Sequence, residues 1–280
     1  PIRSAGSRIA MANILIPIDF SANALNAAEH ALRLFGLEGN QFILVHAYLD
    51  PNMLDATLPS MNEALRSSAE EGMALFQKEL LAKAELQRAQ LSTSVRIGTL
   101  PNVITDLIEE HAPRCVVMGT QGASGLKATV FGSNAADVLQ RSTVPVLTVP
   151  QDSTYREPKR ILLADDGAPV RPSAMAILID LARWSKAEIM IVRVMEEGNE
   201  MDPLASGTSY DDLLGAIPHT HHPVSGENVA TAINDLADQS DVDMVVVVHR
   251  HLGFFGSLFH SSSSKRMAMH THVPLLVLEQ

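Results

Sequence analysis

The sequence predicts two doubly wound α/β domains, each a five-stranded, mainly parallel sheet with flanking helices, related by internal duplication. Three observations support this fold class. Apolar runs such as NILIPI, CVVM and DMVVVV are continuous rather than alternating, which is typical of parallel strands covered on both faces. Helical patterns alternate with these runs, as in units with right-handed crossovers. The same order of segments occurs twice along the 280 residues.

The duplication is visible in pairs of similar segments. NILIPIDFSANAL, from residue 13, matches RILLADDGAPVRP, from residue 160, and places Ile14 on Ile161 at an offset of 147. FILVHAY and EIMIVRV keep this offset. Farther along, NVITDLIEE matches NVATAINDL at an offset of 126, and VPVLTV matches VPLLVL at 129. The second copy is therefore 21 residues shorter after its second strand, where the first copy has a long helical pattern at about 62–89.

The first copy reads as alternating strands and helices, with strands predicted near 13–18, 41–47, 92–97, 114–118 and 145–149. The polar segment QDSTYREPK, which contains Pro158, predicts a linker between the copies. We therefore expect one domain over 11–150 and a second over 157–280. Residues 1–10, which precede Met11, are interpreted as a leader or disordered tail.

Composition excludes several classes of function. A formal net charge of −11 argues against a general nucleic-acid binder, which needs a basic face. Cys115 is the single cysteine, so no intrachain disulfide can form, as expected in a reducing cytoplasm. No apolar run reaches the roughly 18 residues of a membrane span, and the opening PIRSAGSRIA has no apolar core of a secretory signal. We expect a cytoplasmic protein without nucleic-acid or membrane partners.

A glycine-rich stretch, GTQGASGLKATVFGS, directly follows the fourth strand of the first copy. Glycine weakens helices and strands, so this density predicts a close approach of the backbone to a ligand. Ligands of open parallel sheets bind beyond the carboxyl ends of the strands. Gly132 and Ser133 precede a helical pattern, whose N-terminal N–H groups suit phosphate. The stretch is neither a Walker loop nor a GxGxxG fingerprint.

The spacing Gly119-x2-Gly122-x9-Gly132-Ser133 resembles the nucleotide motif of the universal stress protein family. The resemblance covers nearly the whole chain as a tandem pair, over 11–150 and 157–280. It implies a Rossmann-like five-stranded sheet in each copy. Because motif-bearing members of the family bind ATP, it also implies ATP, which Mg²⁺ could accompany, or another adenine nucleotide as the ligand of the first copy.

The resemblance also implies which residues contact the nucleotide. The nucleoside would lie against residues at the ends of three strands: Pro17, Ile18, Asp19, Ala47, Met118 and Gly119. The phosphates would be held by Gly122, Gly132, Ser133 and Asn134. Ala135 stands where many ATP-binding members carry a hydroxyl, which weakens the phosphate site. An alternative role for Asp19 is to organise the start of the first helix, with Ser21 as the N-cap.

The second copy departs from this motif in HRHLGFFGSLFHSSSSKR. His249 replaces Gly119 and would crowd a ribose, so we predict that this copy does not bind ATP in the family's manner. Eight of the eleven histidines follow residue 218. His249, His251 and Asp166 form a candidate Zn²⁺ site, since imidazole and carboxylate suit zinc. The run HTHH aligns with the third strand and is expected at the same cleft. The alternative is a set of exposed or hydrogen-bonded histidines.

The favoured function is an ATP-binding regulatory module of the stress response. The glycine loop supplies no obvious general base, so no residue is assigned a catalytic role and hydrolysis would be slow at most. One alternative is a nucleotide-free interaction scaffold, because the last strands VPVLTV and VPLLVL are apolar edge strands, which invite pairing. The resemblance implies that these strands pair the two copies of one chain as a pseudo-dimer, and two chains could then associate further as a homodimer. Another is a slow ATPase with a metal site in the second copy.

Overall fold

The computed structural model describes residues 12–49, 59–121, 132–165, 169–195, 210–225, 233, 235–237, 239–249 and 272–280. The chain divides into two compact units, Pro1–Gln151 and Asp152–Gln280. The described residues of each unit contain five neighbouring parallel strands. None of the helices within the described ranges is long and apolar enough to cross a membrane.

The first unit follows the predicted order of elements. Its strands are β1 Ala12–Pro17, β2 Asn40–Tyr48, β3 Gln90–Ile97, β4 Cys115–Gly119 and β5 Val146–Val149. Its helices are α1 Ala22–Phe35, α2 Pro59–Leu80, α3 Leu100–His111 and α4 Ser133–Arg141, with a short 3-10 helix at Ala84–Leu86. The strands lie in the order β3-β2-β1-β4-β5, and every neighbouring pair is parallel. The order reverses between β1 and β4, which makes their carboxyl ends the switch point of this sheet.

Continuous apolar runs form the two central strands because both of their faces are covered. Ile14, Leu15 and Ile16 in β1 are fully buried, as are Val116 and Val117 in β4. This core fixes the register that brings the loops after β1 and β4 together. The stability of the first unit therefore depends on the same strands that position its candidate site.

The lone thiol of the chain belongs to this core. Cys115 opens β4 and is completely buried. Burial raises the pKa of the Cys115 thiol to about 12, since a thiolate would lose its hydration there. The thiol is therefore protonated and chemically inert in the folded protein.

Two helix starts in the first unit lie within one residue of the positions that the sequence indicates. Ser21 is the N-cap of α1, and its Oγ accepts a hydrogen bond from the Ala24 N–H at 3.1 Å. Gly132 is the N-cap of α4, which begins at Ser133. The long helical pattern predicted at about 62–89 proves to be α2, which ends at Leu80, followed by the 3-10 turn.

The second unit repeats the arrangement with a shorter connection after its second strand. Its strands are β6 Arg160–Asp165, β7 Glu188–Met195, β8 His219–Ser225, β9 Met244–His249 and β10 Leu275–Glu279. Helix α5 spans Pro172–Ser185 and helix α6 spans Tyr210–Leu214. The parallel order is β10-β9-β6-β7-β8, which matches that of the first unit strand for strand. The predicted internal duplication is confirmed.

Candidate functional site

The carboxyl ends of β1, β2 and β4 meet at one edge of the first sheet. Pro17 is in register with Val45, and the Ile18 N–H donates to the Val45 carbonyl at 2.8 Å. On the other side of β1, Leu15 is in register with Val116 of β4. This register brings six of the predicted residues to the same edge: Pro17, Ile18, Asp19, Ala47, Met118 and Gly119. Parallel sheets bind ligands at such an edge.

Asp19 takes part in the turn that starts α1. Its Oδ1 accepts a hydrogen bond from the Ser21 N–H at 3.1 Å. The alternative role that the sequence allowed, with Asp19 organising the helix start and Ser21 capping it, is therefore present in the structure. This turn also fixes the position of the half-buried Asp19 side chain at the sheet edge.

The structure gives a second reason for the glycine at position 119. A Cβ atom added to Gly119 would lie 2.6 Å from Nδ2 and 2.7 Å from Cγ of Asn23. Asn23 lies in the first turn of α1 with 3% of its surface exposed, and its Nδ2 donates to the Gln121 carbonyl at 3.1 Å. The absence of a side chain at Gly119 thus leaves space for the Asn23 side chain. Sequence reasoning missed Asn23, because a small polar residue after an N-cap is unremarkable.

Asn23 also leaves an acceptor unused at this edge. Its Oδ1 is buried and has no hydrogen-bond partner among the described residues. A buried acceptor in this state costs about 1–3 kcal/mol of desolvation. A hydroxyl or amino group of a ligand at the switch point would supply the missing donor.

The N-terminus of α4 is held beside the end of β4. The Gly132 N–H donates to the Thr120 carbonyl at 2.8 Å, and the Thr120 N–H donates to the Val149 carbonyl at 3.1 Å. Gly132, as the N-cap, has no side chain to bond the first N–H groups of the helix, and Ser133 and Asn134 are exposed. The first N–H groups of a helix have no intrahelical acceptor, so this end favours an anion. Gly122 lies outside the described residues.

A cavity lined by described residues lies on the opposite face of the sheet from Ala47. It measures about 450 Å³ and is bordered by strand β2, helix α2 and the loop after β1. His46 and Tyr48 line it, so Ala47 between them faces the other side of the strand. The Phe20 ring covers His46, with 4.4 Å between the ring centroids. This cavity is therefore separate from the predicted nucleoside pocket.

Two charge pairs lie at the corresponding edge of the second sheet. Asp165, at the end of β6, is buried, and its Oδ2 accepts a hydrogen bond from Arg193 Nε at 2.7 Å. His249, at the end of β9, is also buried, and its Nδ1 lies 3.0 Å from Glu279 Oε1. Arg193 and Glu279 were not singled out from the sequence, because both contacts join strands distant along the chain.

The predicted metal site of the second copy is only partly described. His249 is present with its Nδ1 against Glu279, while Asp166 and His251 lie outside the described residues. The expected position of HTHH is wrong. The run opens β8 at His219, which is in register with Ile189 near the start of β7. These histidines therefore lie at the amino-terminal edge of the second sheet, opposite the cleft to which they were assigned.

The His249–Glu279 pair should make the stability of the second unit depend on pH. The hydrogen bond that the His249 ring donates to the Glu279 carboxylate raises the pKa of His249 above its ordinary value of 6.5. The stabilisation is complete below about pH 6.5, where the histidine is charged in both states, and it is lost as pH rises through the higher pKa of the folded state.

We expect the advantage of the wild type over Glu279→Gln in free energy of unfolding to fall by about 1.5 kcal/mol between pH 6 and pH 9. Urea unfolding in EDTA, followed by the fluorescence of Trp184, measures this difference. The pKa of His219 is also raised, by the Ile217 carbonyl and Asp211. This contribution to the free energy of unfolding is common to the wild type and the variant, so it cancels in their difference. A constant difference across this range would contradict the assignment.

Comparison with known proteins places this geometry in a family. The model of the universal stress protein family matches residues 11–150 and 157–279. Universal stress protein MJ0531 of Methanocaldococcus jannaschii is 26% identical over 140 residues, which cover 49% of this chain and 80% of that protein. Universal stress protein Sll1654 of Synechocystis is 28% identical over 151 residues, covering 53% of this chain and 91% of that protein.

A solved structure shares the fold over the full length. The crystal structure of a universal stress protein from Archaeoglobus fulgidus superposes with a TM-score of 0.67 and covers 97% of both chains at 20% identity. This likeness shows the fold alone, with two parallel-sheet units in one chain. Since the family model matches both copies, the chain belongs to the universal stress protein family and carries two of its domains in tandem.

Proposed function

We propose that the first unit binds ATP, or another adenine nucleotide, at the carboxyl edge of its sheet, and that the protein acts as a cytoplasmic regulatory module of the stress response. One observation carries the proposal: the Gly132 N–H donates to the Thr120 carbonyl at 2.8 Å. This bond brings the N-terminus of α4 next to the strand ends. A nucleoside at the switch point would then have its phosphates within reach of that helix end.

Each part of a nucleotide meets a suitable group in this arrangement. Ile18 and Met118 are 5% exposed at the strand ends, so they offer apolar contact to a base. Asp19 and the buried Oδ1 of Asn23 can accept hydrogen bonds from ribose hydroxyls or an amino group. Ser133 adds a hydroxyl donor where the N–H groups of α4 begin. Bound nucleotide would bias the conformation or partner affinity of the protein, since the described edge offers no evident base for water attack.

The second unit is not expected to bind nucleotide in the same way. The buried side chains of Asp165 and His249 stand at the equivalent edge, each paired with a charged residue. A nucleoside there would have to displace groups that stabilise each other. We therefore expect one nucleotide per chain.

The substitution Gly132→Asp should separate folding from phosphate binding. Aspartate is a preferred N-cap and stabilises a helix by a few tenths of a kcal/mol relative to glycine. Its carboxylate would stand where the phosphate is proposed, and we expect the affinity for ATP to fall roughly tenfold or more. Calorimetric titration of ATP and of adenosine measures the effect, and adenosine affinity should change little.

Thr99→Asp is the matched control, because Thr99 is the N-cap of α3 and likewise makes no side-chain capping bond. It adds the same charge at the same helix position, away from the proposed site, and should leave ATP affinity unchanged. Equal losses in both variants, or no ATP binding by the wild type at millimolar concentration, would refute the proposal.

A further inference from the structure

Strand β8 carries two histidines on one face at its amino-terminal end. His219 and His221 are two residues apart on a strand, so their side chains lie on the same side of the sheet. His222 lies on the other side, where its Nε2 is 2.8 Å from Thr220 Oγ1. Among the described strands of its unit, β8 is the last in the sheet and pairs with β7 alone. The histidine pair therefore stands at an open margin of the second unit.

A carboxylate from α6 joins the two imidazoles. Asp211 Oδ1 lies 2.7 Å from His219 Nε2 and 3.0 Å from His221 Nε2. The three ligand atoms all lie within 4.8 Å of one another. One oxygen of Asp211, on α6, thus faces two ring nitrogens of β8 at hydrogen-bond distance.

The contacts of His219 require a cation on its Nε2. The Nδ1 atom lies 2.7 Å from the Ile217 carbonyl oxygen, which only accepts, so Nδ1 carries a hydrogen. A neutral ring then has a lone pair on Nε2, and this lone pair faces the Asp211 carboxylate, another acceptor. The contact is favourable only if Nε2 holds a second proton or if a metal ion takes the place of that proton.

We propose that His219, His221 and Asp211 form a Zn²⁺ site at the amino-terminal edge of the second sheet. Two imidazole nitrogens and one carboxylate oxygen are a set that zinc accepts, with water in the fourth position. The Ile217 carbonyl holds the tautomer that presents Nε2 to the metal, as outer-shell acceptors of zinc-bound histidines do. The side chains of His221 and Asp211 are 54% and 64% exposed, so the ion and its water have access from solvent.

Metal entry requires a small outward movement of Asp211 from the two imidazoles. Bonds of about 2.0 Å in a tetrahedron separate neighbouring ligand atoms by about 3.3 Å. The present separations of 2.7 and 3.0 Å are a few tenths of an ångström shorter. Asp211 lies on a five-residue helix and its side chain is exposed, so it can move outward by this amount. The site is independent of the nucleotide proposal, since it lies at the other edge of the other sheet.

The test uses the full chain, freed of any affinity tag and stripped with EDTA, titrated with Zn²⁺ by calorimetry and with Co²⁺ by absorption spectroscopy. We expect the variant His221→Gln to bind Zn²⁺ at least about tenfold more weakly at one site, and to lose the visible bands of tetrahedral Co²⁺. His222→Gln is the control, because it removes a histidine one position away on the opposite side of the strand. Asp211→Asn should behave like His221→Gln.

The difference between the two glutamine variants is the decisive readout, because histidines elsewhere in the chain can also take up zinc. His221 is exposed, so its replacement should leave the far-ultraviolet circular dichroism and the unfolding midpoint of the EDTA-treated protein unchanged. The proposal is overturned if the wild type binds no zinc, or if His221→Gln and His222→Gln bind zinc equally well.

Discussion

Replacing Arg193 with methionine should lower the free energy of unfolding of the second unit by about 3 kcal/mol. The substitution removes the guanidinium group from a carboxylate, Asp165, whose side chain is 2% exposed. Breaking a buried ion pair by removing one member costs about 3–5 kcal/mol. We expect the lower end of this range, because the Arg193 side chain is 38% exposed and water screens part of the interaction.

The chain is well suited to this measurement because Trp184 is its single tryptophan and lies in α5 of the same unit. Urea unfolding followed by tryptophan fluorescence therefore reports on the second unit. Arg183→Met is the matched control, since Arg183 is exposed and its replacement removes the same charge from this unit. The double variant Asp165→Leu with Arg193→Met should recover much of the loss, as apolar replacements of buried ion pairs do. Equal midpoints for the two arginine variants would contradict the prediction.

Replacing Gly119 with alanine should destabilise the first unit by about 1–3 kcal/mol. The new methyl group would overlap Asn23, whose nearest atom is 2.6 Å from the Cβ position. The backbone at Gly119 is extended strand, so the cost arises from space and not from an unfavourable φ. Asn23 is buried and can give way only by breaking its hydrogen bond to the Gln121 carbonyl.

A double-mutant cycle with Asn23→Ala tests this explanation. In the Asn23→Ala background the alanine at 119 should cost much less, giving a coupling energy of about 1 kcal/mol or more. Chemical unfolding followed by circular dichroism provides the four free energies. If the two substitutions are additive, Asn23 is not what requires glycine at this position.

The fold could be predicted because its signals are local or repeated. The run from Asn13 to Ile18 is continuously apolar apart from its first residue, and the structure places β1 one residue earlier, at Ala12–Pro17. Helix α4 begins at Ser133, one residue before the helical pattern that the sequence displays after Gly132 and Ser133. The duplication strengthened the prediction, since the strands and helices assigned in one copy support those assigned in the other. These features depend on neighbouring residues, which a sequence displays directly.

The position of the HTHH histidines could not be predicted because β8 has no apolar run to mark its beginning. His219, Thr220 and His221 are polar, and Pro223 interrupts the pattern of an ordinary strand. Proline is tolerated in such a strand at the margin of a sheet. The alignment of the copies identified the strand but not its first residue, and this first residue decides which edge the histidines occupy.

The remaining features depend on contacts between distant residues. The reason for Gly119 lies in Asn23, on a helix 96 residues earlier in the chain. The pairs Asp165–Arg193 and His249–Glu279 join residues 28 and 30 positions apart. Spacing alone does not distinguish such pairs from unrelated charges on the surface. The nucleotide contacts assigned to the candidate site stay a prediction, whereas its internal supports required coordinates.

Because Cys115 is completely buried, the rate at which it reacts with a thiol reagent reports on opening of the first unit. A thiol reagent can modify this residue only when β4 separates from its neighbours, so the labelling rate counts these openings. No competing cysteine exists anywhere in the 280 residues. A ligand that binds the closed form slows labelling by the factor 1 + [L]/Kd, so candidate nucleotides can be ranked by mass spectrometry without attaching a dye.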